Sequence, residues 1–346
     1  MSPLKRFERF GRRLLVACLS RVLGARQREV SVRAAARILV VRLDERVGNL
    51  VLLTPLLSTL RARFPKAVID VLGYAKTRVL LERHPAVSEI LAFDKRALSS
   101  PRGPLRIFAF LRRRRYDLAI DAANPTDPSF TQALVTRFSG AEHTIGSAFG
   151  DFARLYSAPA TIVDDGKTHE VDLRLQLLGP IPGDGLVRVT GIDLGGPSDE
   201  VRRFISEAGS YAVLNLGARV REKWLPAADY IALANAMADH GARCVLTWGP
   251  QERELAETVR AAARDGLMAP PTTLADLAAI LKSARYVVTC DTGPMHIAVA
   301  VGTPTCAIFV STDPARYGYH DGPHLSVSSS DPIWRAKVGN WLKWGH

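Results

Sequence analysis

Polar side chains are concentrated where a predicted buried strand gives way to a helix. Asp291, Thr292 and Gly293 follow the apolar run that ends at Cys290, and His296 stands one turn into the next helix. A glycine lets a ligand approach the backbone, and the amide groups at the start of a helix attract phosphate oxygens. Because acidic and imidazole side chains crowd into a short apolar stretch, we interpret this turn as a binding site for a phosphorylated ligand. The alternative is a capping aspartate beside a core histidine.

A second polar cluster occupies the end of the predicted strand 211–217 and the loop that follows it. Arginine offers a forked set of donors and lysine a compact charge, so basic side chains here suit a phosphate. The candidates in this cluster are Asn215, Arg219, Arg221 and Lys223. The alternative is a solvated surface loop. Farther on, Glu252 is predicted at the start of a helix. The helix dipole alone favours a carboxylate at this position, and the functional alternative is a contact with a ribose.

The loop after the predicted strand 37–43 carries a third set of polar groups. Asp44 and Glu45 are its carboxylates, and Gly48 and Asn49 precede a helix. Gly48 permits a tight turn, after which helix amides can meet an anion or a polar ligand. One glycine is a weak signal, because the pattern is neither a dinucleotide-binding fingerprint nor a P-loop. An ordinary strand-to-helix turn is the alternative.

These loops belong to two series of alternating strands and helices. Short β-branched runs alternate with helical runs from residue 37 to 123, including one helix at 50–64, and again from 211 onward. Continuous apolar strands separated by helices predict parallel sheets covered on both faces, and ligands bind beyond the carboxyl ends of such strands. The alternation blurs between 124 and 205, apart from a helical run at 169–179. We therefore predict an α/β protein with two units joined by a middle segment.

Composition and charge narrow the classes of partner. The chain has 346 residues, of which 47% are hydrophobic, and its net charge of +12 favours anionic partners. Residues 1–37 hold ten Lys/Arg and two Glu, hence about eight of the surplus charges. We expect no nucleic-acid partner, since that class needs a basic face on the folded body. The four cysteines form no C-x-x-C pair, which favours reduced thiols and suggests no metal site.

The first 36 residues have the pattern of a basic amphipathic arm. Its apolar side chains recur at helical spacing, at Phe7, Phe10, Leu14, Cys18 and Val22. Such a helix can lie on an anionic membrane surface, and the alternative is a helix packed on the protein itself. Its uncharged run is far too short to span a bilayer. The C-terminal segment 331–346 has a similar basic and aromatic character.

Taken together, these features resemble the bacterial heptosyltransferases of lipopolysaccharide core synthesis, the ADP-heptose transferases of glycosyltransferase family 9. The resemblance extends from about residue 37 to residue 313. It is carried by the motifs RLDERVGNLVLLTPLL, HEVD, KWLP, WGPQERE and DTGPMHIAVAVGTP. The last of these motifs is the most specific.

The resemblance implies a GT-B fold, in which two Rossmann-like domains with parallel sheets face a central cleft. It implies an inverting transfer of a heptose-like sugar from an ADP-sugar to a lipopolysaccharide core or related glycolipid, without a metal or other cofactor. It also implies a cytoplasmic protein, peripheral on the inner face of the bacterial cytoplasmic membrane. The domains we predict are an arm (1–36), an acceptor-binding domain (37–180), a linker (181–210), a donor-binding domain (211–330) and a tail (331–346).

The resemblance also assigns roles on the donor side. Thr292 and Gly293 would hold the diphosphate, and Asp291 the hydroxyl groups of the transferred sugar. His296 falls on the same donor-binding turn, and Glu252 falls on the ribose-binding carboxylate. Asn215 is a further donor-side candidate from its position after a strand.

The basic cluster departs from the family pattern. The family commonly has lysine, one residue and then Trp-Pro, with the lysine on the diphosphate. Here Lys223 directly precedes Trp224, and another residue separates this tryptophan from Pro226. Arg219 or Arg221 would then share the role of the lysine.

Asn49 is a larger departure. The family commonly has Gly-Asp at this point, and the aspartate is the proposed general base. An amide cannot take the proton of the acceptor hydroxyl at neutral pH. Asp44 or Glu45 substitutes, proton removal matters less, or catalysis is lost, and we favour Asp44. The alternative function is a non-catalytic nucleotide-sugar-binding or membrane-associated partner of an active transferase.

Overall fold

The computed structural model describes residues 18, 20–30, 35–94, 96 and 102–343. The chain folds into two compact units. Of the described residues, the first unit takes those up to Glu45 and those within Leu53–Arg188, and the second takes Arg46–Leu52 and those from Val189 onward. A short segment near the start of the chain therefore belongs to the C-terminal unit.

The first unit is built on a six-stranded parallel sheet in the order β3-β2-β1-β4-β5-β6. Its strands are β1 (Arg37–Arg42), β2 (Val68–Gly73), β3 (Glu89–Ala92), β4 (Leu118–Asp121), β5 (His143–Ser147) and β6 (Ala158–Ala160). The helices that follow β1 in this part of the chain are α1 (Val47–Val51), α2 (Thr54–Arg63), α3 (Ala75–Leu81), α4 (Gly103–Arg113), α5 (Phe130–Phe138) and α6 (Glu170–Leu175). Of these helices, α1 belongs to the second unit. β1 is the centre of the sheet, with Ile38 opposite Ile69 of β2 and Leu118 of β4. Its side chains from Ile38 to Val41 are fully buried, as an apolar strand with helices on both faces requires.

The second unit repeats this architecture with the strand order β12-β11-β10-β7-β8-β9. Its strands are β7 (Tyr211–Asn215), β8 (Arg243–Thr247), β9 (Gly266–Met268), β10 (Val287–Cys290), β11 (Thr305–Phe309) and β12 (Leu325–Ser328). Its further helices are α7 (Asp199–Ala208), α8 (Ala227–Asp239), α9 (Arg253–Ala262), α10 (Leu274–Ser283), α11 (Gly293–Ala300), α12 (Pro314–Tyr317) and α13 (Trp334–Lys343). All strand pairs in both sheets are parallel, which confirms the predicted α/β class with two Rossmann-like units.

The helix predicted at 50–64 is two helices in the structure. α1 ends before Leu53, and α2 begins with Pro55 in its first turn. A proline lacks the N–H group that would continue α1, whereas it is well tolerated at the start of a new helix. Because α1 begins at Val47, Gly48 and Asn49 lie in a helical turn, and their prediction as loop residues was wrong.

Several short strands of the two sheets were not predicted from the sequence. β5 and β6 lie in the region where the alternation blurs, and β9 and β12 have only three and four residues. β6 is Ala-Pro-Ala, and proline is confined to sheet edges, so its composition does not indicate a strand. These segments are strands because they pair with neighbouring strands of the sheet, and not because of their local β-propensity.

The segments predicted as linker and tail contain helices of the second unit. Helix α7 lies within 181–210, and its cap Ser198 accepts a hydrogen bond from the N–H of Val201. Helix α13 lies within 331–346 and buries four apolar side chains. These are Trp334, Val338, Trp341 and Leu342. Their helical spacing explains why this basic and aromatic segment joins the core.

The described end of the arm packs on the first unit. The carbonyl groups of Leu23 and Gly24 accept hydrogen bonds from Arg137, and the N–H of Ala25 donates to the carbonyl of Arg154 at 2.7 Å. The predicted arm residues Phe7, Phe10 and Leu14 lie outside the described residues, whereas Cys18 and Val22 are exposed. Among the described residues, no helix is both long enough and apolar enough to cross a membrane.

Candidate functional site

A cavity of about 370 Å³ opens at the carboxyl ends of β7, β8 and β10 in the second unit. Its walls come from the loops that follow these strands and from the start of α10. The lining residues are Asn215, Leu216, Gly217, Ala218, Arg219, Trp248, Gly249, Pro250, Glu252, Pro271, Thr272, Thr273, Leu274, Leu277, Thr292 and Pro294. Four sequence-predicted residues, from three different loops, therefore meet at one cavity. They are Asn215, Arg219, Glu252 and Thr292.

Glu252 is a buried carboxylate at this cavity, and two glycines make room for it. Its Oε2 accepts a hydrogen bond from the N–H of Gly249 at 3.0 Å. A Cβ on Gly217, whose φ is +68°, would lie 2.4 Å from Cγ of Glu252, and a Cβ on Gly249 would lie 2.7 Å from its Oε2. Burial raises the pKa of Glu252 above its ordinary value. The carboxyl group can accept hydrogen bonds from ligand hydroxyl groups.

Asn215 ties together the three strands beneath the cavity. Its Nδ2 donates to Oγ1 of Thr289 at 3.1 Å, and its Oδ1 accepts from Oγ1 of Thr247 at 3.1 Å. Trp248 forms an apolar wall, and its indole N–H donates to the carbonyl of Ala269 at 2.9 Å. An aromatic wall beside a few fixed polar groups suits a ligand with a planar ring and hydroxyl groups.

Lys223 and Asp291 form an ion pair close to the start of α11. Oδ2 of Asp291 also accepts a hydrogen bond from Oγ1 of Thr312 at 2.5 Å. Lys223 thus reaches the turn after β10, although its spacing departs from the family pattern. Arg221 lies outside the cavity lining, with its guanidinium 5.1 Å from the ring centre of Trp224.

His296, Gly293 and Gly48 come together where α1 packs on α11. Nδ1 of His296 lies 2.9 Å from the hydroxyl of Tyr319 and forms a hydrogen bond with it. A Cβ on Gly48 would lie 2.5 Å from Cδ2 of His296, and a Cβ on Gly293 would lie 3.2 Å from Cβ of Val47. Both glycines therefore permit the close approach of the two helices. Asn49 lies on α1 in the same unit.

The loop after β1 presents Asp44 beside a buried arginine in the first unit. Nη2 of Arg42 donates to Oδ2 of Asp44 at 2.9 Å, and Nη1 donates to the carbonyl of Ala122 at 2.5 Å. Nearby on β4, Asp121 accepts a hydrogen bond from the hydroxyl of Tyr156 at 2.7 Å. Burial raises the pKa of Asp121 to about 6. The ion pair with Arg42 fixes Asp44 at the carboxyl end of the central strand.

Residues 105–337 match the model of the family described as glycosyltransferase family 9 (heptosyltransferase). The chain belongs to this family. Lipopolysaccharide heptosyltransferase 3 of Escherichia coli is 30% identical over 286 residues, which cover 77% of this chain and 81% of that protein. Lipopolysaccharide heptosyltransferase 2 of Escherichia coli (strain K12) is 28% identical over 290 residues, which cover 78% of this chain and 81% of the relative. This family 9 member is therefore an enzyme of the glycosyltransferase class, and the resemblance to family 9 is confirmed.

Solved structures of family members share the fold. The glycosyl transferase family 9 protein of Veillonella parvula aligns with a TM-score of 0.72 at 20% identity, covering 92% of this chain and 91% of that one. The E. coli ADP-heptose heptosyltransferase II aligns with a TM-score of 0.71 at 22% identity, covering 89% of this chain and 98% of that one. The predicted GT-B fold of this family 9 glycosyltransferase is thereby confirmed.

The structure of this family 9 glycosyltransferase also shows contacts that were not predicted from its sequence. Thr312 could have been predicted as a site residue, because it is a polar residue that follows β11, the strand next to β10. Trp248 stands in a quoted motif, but its role as a cavity wall requires the fold. The hydrogen bond between Tyr319 and His296 could not be predicted from the sequence, because Tyr319 lies in an irregular stretch. Glu45 and Gly48 both belong to the predicted acceptor-binding domain (37–180), but Glu45 lies in the first unit next to Asp44, whereas Gly48 lies in the second unit.

Proposed function

We propose that this enzyme is an inverting, metal-independent glycosyltransferase that moves a heptose-like sugar from an ADP-sugar to a lipopolysaccharide core or a related glycolipid. The observation that carries the donor half of this proposal is the cavity in the second unit. Its aromatic wall suits a nucleobase, its buried carboxylate suits a ribose, and it reaches the start of a helix. Relatives named as lipopolysaccharide heptosyltransferases, and solved relatives with ADP or an ADP-heptose analogue, support the choice of donor and acceptor.

The diphosphate would lie at the turn after β10. Thr292 occupies the N-cap position of α11 without a capping bond from its side chain, and Gly293 begins that helix, so backbone amide groups and the helix dipole favour an anion there. Lys223 is held beside this turn by Asp291, and Arg219 lines the cavity. These cations can stabilise the charge that develops on the leaving diphosphate, which is the task a metal ion performs in other transferases.

Asp44 is the proposed general base for the acceptor hydroxyl. Its pair with Arg42 holds the carboxylate at the end of β1, where ligands of parallel sheets bind. Asn49 carries an amide and cannot perform this step. Glu45 is the alternative base in the same loop.

A non-catalytic nucleotide-sugar-binding or membrane-associated partner of an active transferase is the second candidate. Asn49 favours it, since the family aspartate is missing from α1. In this case the donor binds to the cavity but no sugar is transferred.

The full chain, incubated with ADP-heptose and heptose-deficient lipopolysaccharide, tests the proposal. We expect ADP release and acceptor molecules heavier by one heptose in mass spectra. The Asp44→Asn variant should lose transfer while calorimetry shows unchanged ADP binding, and Glu45→Gln, the same change at the alternative base, should retain transfer. Binding without product in the natural chain, together with product from Asn49→Asp, would establish the second candidate. Full activity of Asp44→Asn would exclude Asp44 as the base.

We place the enzyme in the cytoplasm, peripheral on the inner face of the cytoplasmic membrane. A lipid-anchored acceptor is held in that membrane, and an enzyme of net charge +12 is attracted to anionic lipids.

A further inference from the structure

Helix α4 of the first unit exposes two large apolar side chains. Leu105 is 66% exposed and Phe110 is 46% exposed, and Ala109 between them is also exposed. The opposite side of the helix is anchored in the core, because Leu111 is fully buried and the ring of Phe108 lies 5.2 Å from that of Phe138. The exposed apolar side chains therefore form an outer face of a firmly packed helix.

Arginine side chains lie between these two apolar side chains on the helix surface. At 100° per residue, Arg102, Arg106 and Arg113 fall within about one-eighth of a turn, between Leu105 on one side and Phe110 on the other. All three arginines are exposed. We call this surface the α4 face, formed by Arg102, Leu105, Arg106, Ala109, Phe110 and Arg113.

The charge of this region has one sign. Residues 95–116 contain eight Lys/Arg and no Asp or Glu. Arg114 is drawn inward, where it pairs with Asp70 at 3.2 Å and with Glu89 at 2.6 Å. Within the described part of the chain, no carboxylate forms an ion pair with the arginines of the α4 face. Their charges are therefore available to an external anion.

We propose that the α4 face binds the surface of an anionic lipid bilayer. Exposed apolar side chains can enter the boundary between headgroups and acyl chains while neighbouring arginines contact the phosphates. A second copy of the chain fits this surface poorly, because two such faces would repel each other. The proposal deepens the proposed function and rests on its membrane-held acceptor, since it assigns the surface that brings the first unit to that membrane.

Vesicle sedimentation of the full chain tests the α4 face. The natural chain should bind vesicles of phosphatidylglycerol and phosphatidylcholine and bind pure phosphatidylcholine weakly. Arg106→Glu/Arg113→Glu should weaken binding at least tenfold, since each basic residue at such a surface contributes about fivefold in affinity. Leu105→Ser/Phe110→Ser should weaken it while leaving the charge unchanged. Arg203→Glu/Arg260→Glu, at exposed positions of the second unit, is the control with the same change of charge.

A fluorescent label separates the α4 face from the N-terminal arm. Ala109→Cys in a Cys18→Ser background places an environment-sensitive dye on the face, because the other three cysteines are buried. A blue shift on adding anionic vesicles is expected. Sedimentation without this shift would assign binding to the arm and overturn the proposal, as would equal losses in the control and the α4 variants.

Further readouts distinguish failure of this proposal from failure of the proposed function. ADP binding by calorimetry and transfer to a delipidated acceptor should persist in every α4 variant. A concentration-dependent doubling of mass that the α4 variants abolish would assign the face to a second copy instead. Absence of transfer with intact vesicle binding would overturn only the transferase proposal.

Discussion

Replacing Gly48 by alanine tests the packing of α1 on α11. The φ of Gly48 lies outside the left-handed region, so an alanine meets no backbone strain there. Its Cβ would lie 2.5 Å from Cδ2 and 3.1 Å from Nε2 of His296, whereas ordinary contacts begin near 3.4 Å. His296 is 5% exposed and its ring forms a hydrogen bond with Tyr319, so the ring has little freedom to move aside. The substitution therefore isolates one steric contact.

The two energetic effects of this substitution oppose each other. Alanine in place of a helical glycine stabilises a helix by about 0.5–1 kcal/mol. Overpacking of a buried contact costs about 1–3 kcal/mol. Because the shortfall in distance approaches 1 Å, we expect overpacking to dominate, with Gly48→Ala destabilising the second unit by about 1–2 kcal/mol.

A double-mutant cycle with His296→Ala makes the expectation specific. Removing the ring should remove the clash, so Gly48→Ala should be neutral or stabilising in the His296→Ala background. We expect a coupling free energy of about 1–3 kcal/mol. All five tryptophans follow residue 189 in the sequence, and the four that the structure describes lie in the second unit, so tryptophan fluorescence during urea unfolding reports on that unit. Additive effects of the two substitutions would refute this account of the contact.

Three further predictions concern the two sites. Glu252→Gln should weaken ADP binding about tenfold in calorimetry, because it replaces a charged acceptor of hydroxyl hydrogen bonds, and unchanged affinity would remove Glu252 from the site. Lys223→Met should lower the transfer rate more than donor affinity, because the charge it supplies grows during departure of the diphosphate, whereas a loss confined to affinity would contradict that role. Asp121→Asn should gain stability relative to the natural chain as pH rises from 4 to 7. The folded protein retains the proton of Asp121 up to a pKa of about 6, which is above the pKa in the unfolded chain. Ionisation therefore destabilises the natural fold by up to about 3 kcal/mol. If the difference in unfolding temperature between the two proteins, measured by circular dichroism, did not change with pH, this reasoning would be contradicted.

Features set by local pattern could be predicted from the sequence. The central strands β1 and β10 are continuous apolar runs, and the polar turn at 291–293 follows directly from the end of a strand. Asn215 and Glu252 could be assigned to one site because the carboxyl ends of parallel strands meet at one edge of a sheet.

Features that depend on tertiary contacts could not be predicted. The three-residue strands have no periodicity to detect, and the division of 50–64 into two helices depends on how Pro55 is accommodated. The assignment of α1 to the second unit arises from its packing on α11, where Gly48 meets His296. No local pattern contains that contact.

A crystal structure with a non-reactive ADP-heptose analogue tests the central claim most directly. The account predicts the adenine against Trp248, the ribose hydroxyl groups at Glu252 and the diphosphate at the amide groups of Thr292 and Gly293. A fully bound analogue lying outside the cavity after β7, β8 and β10 would contradict it.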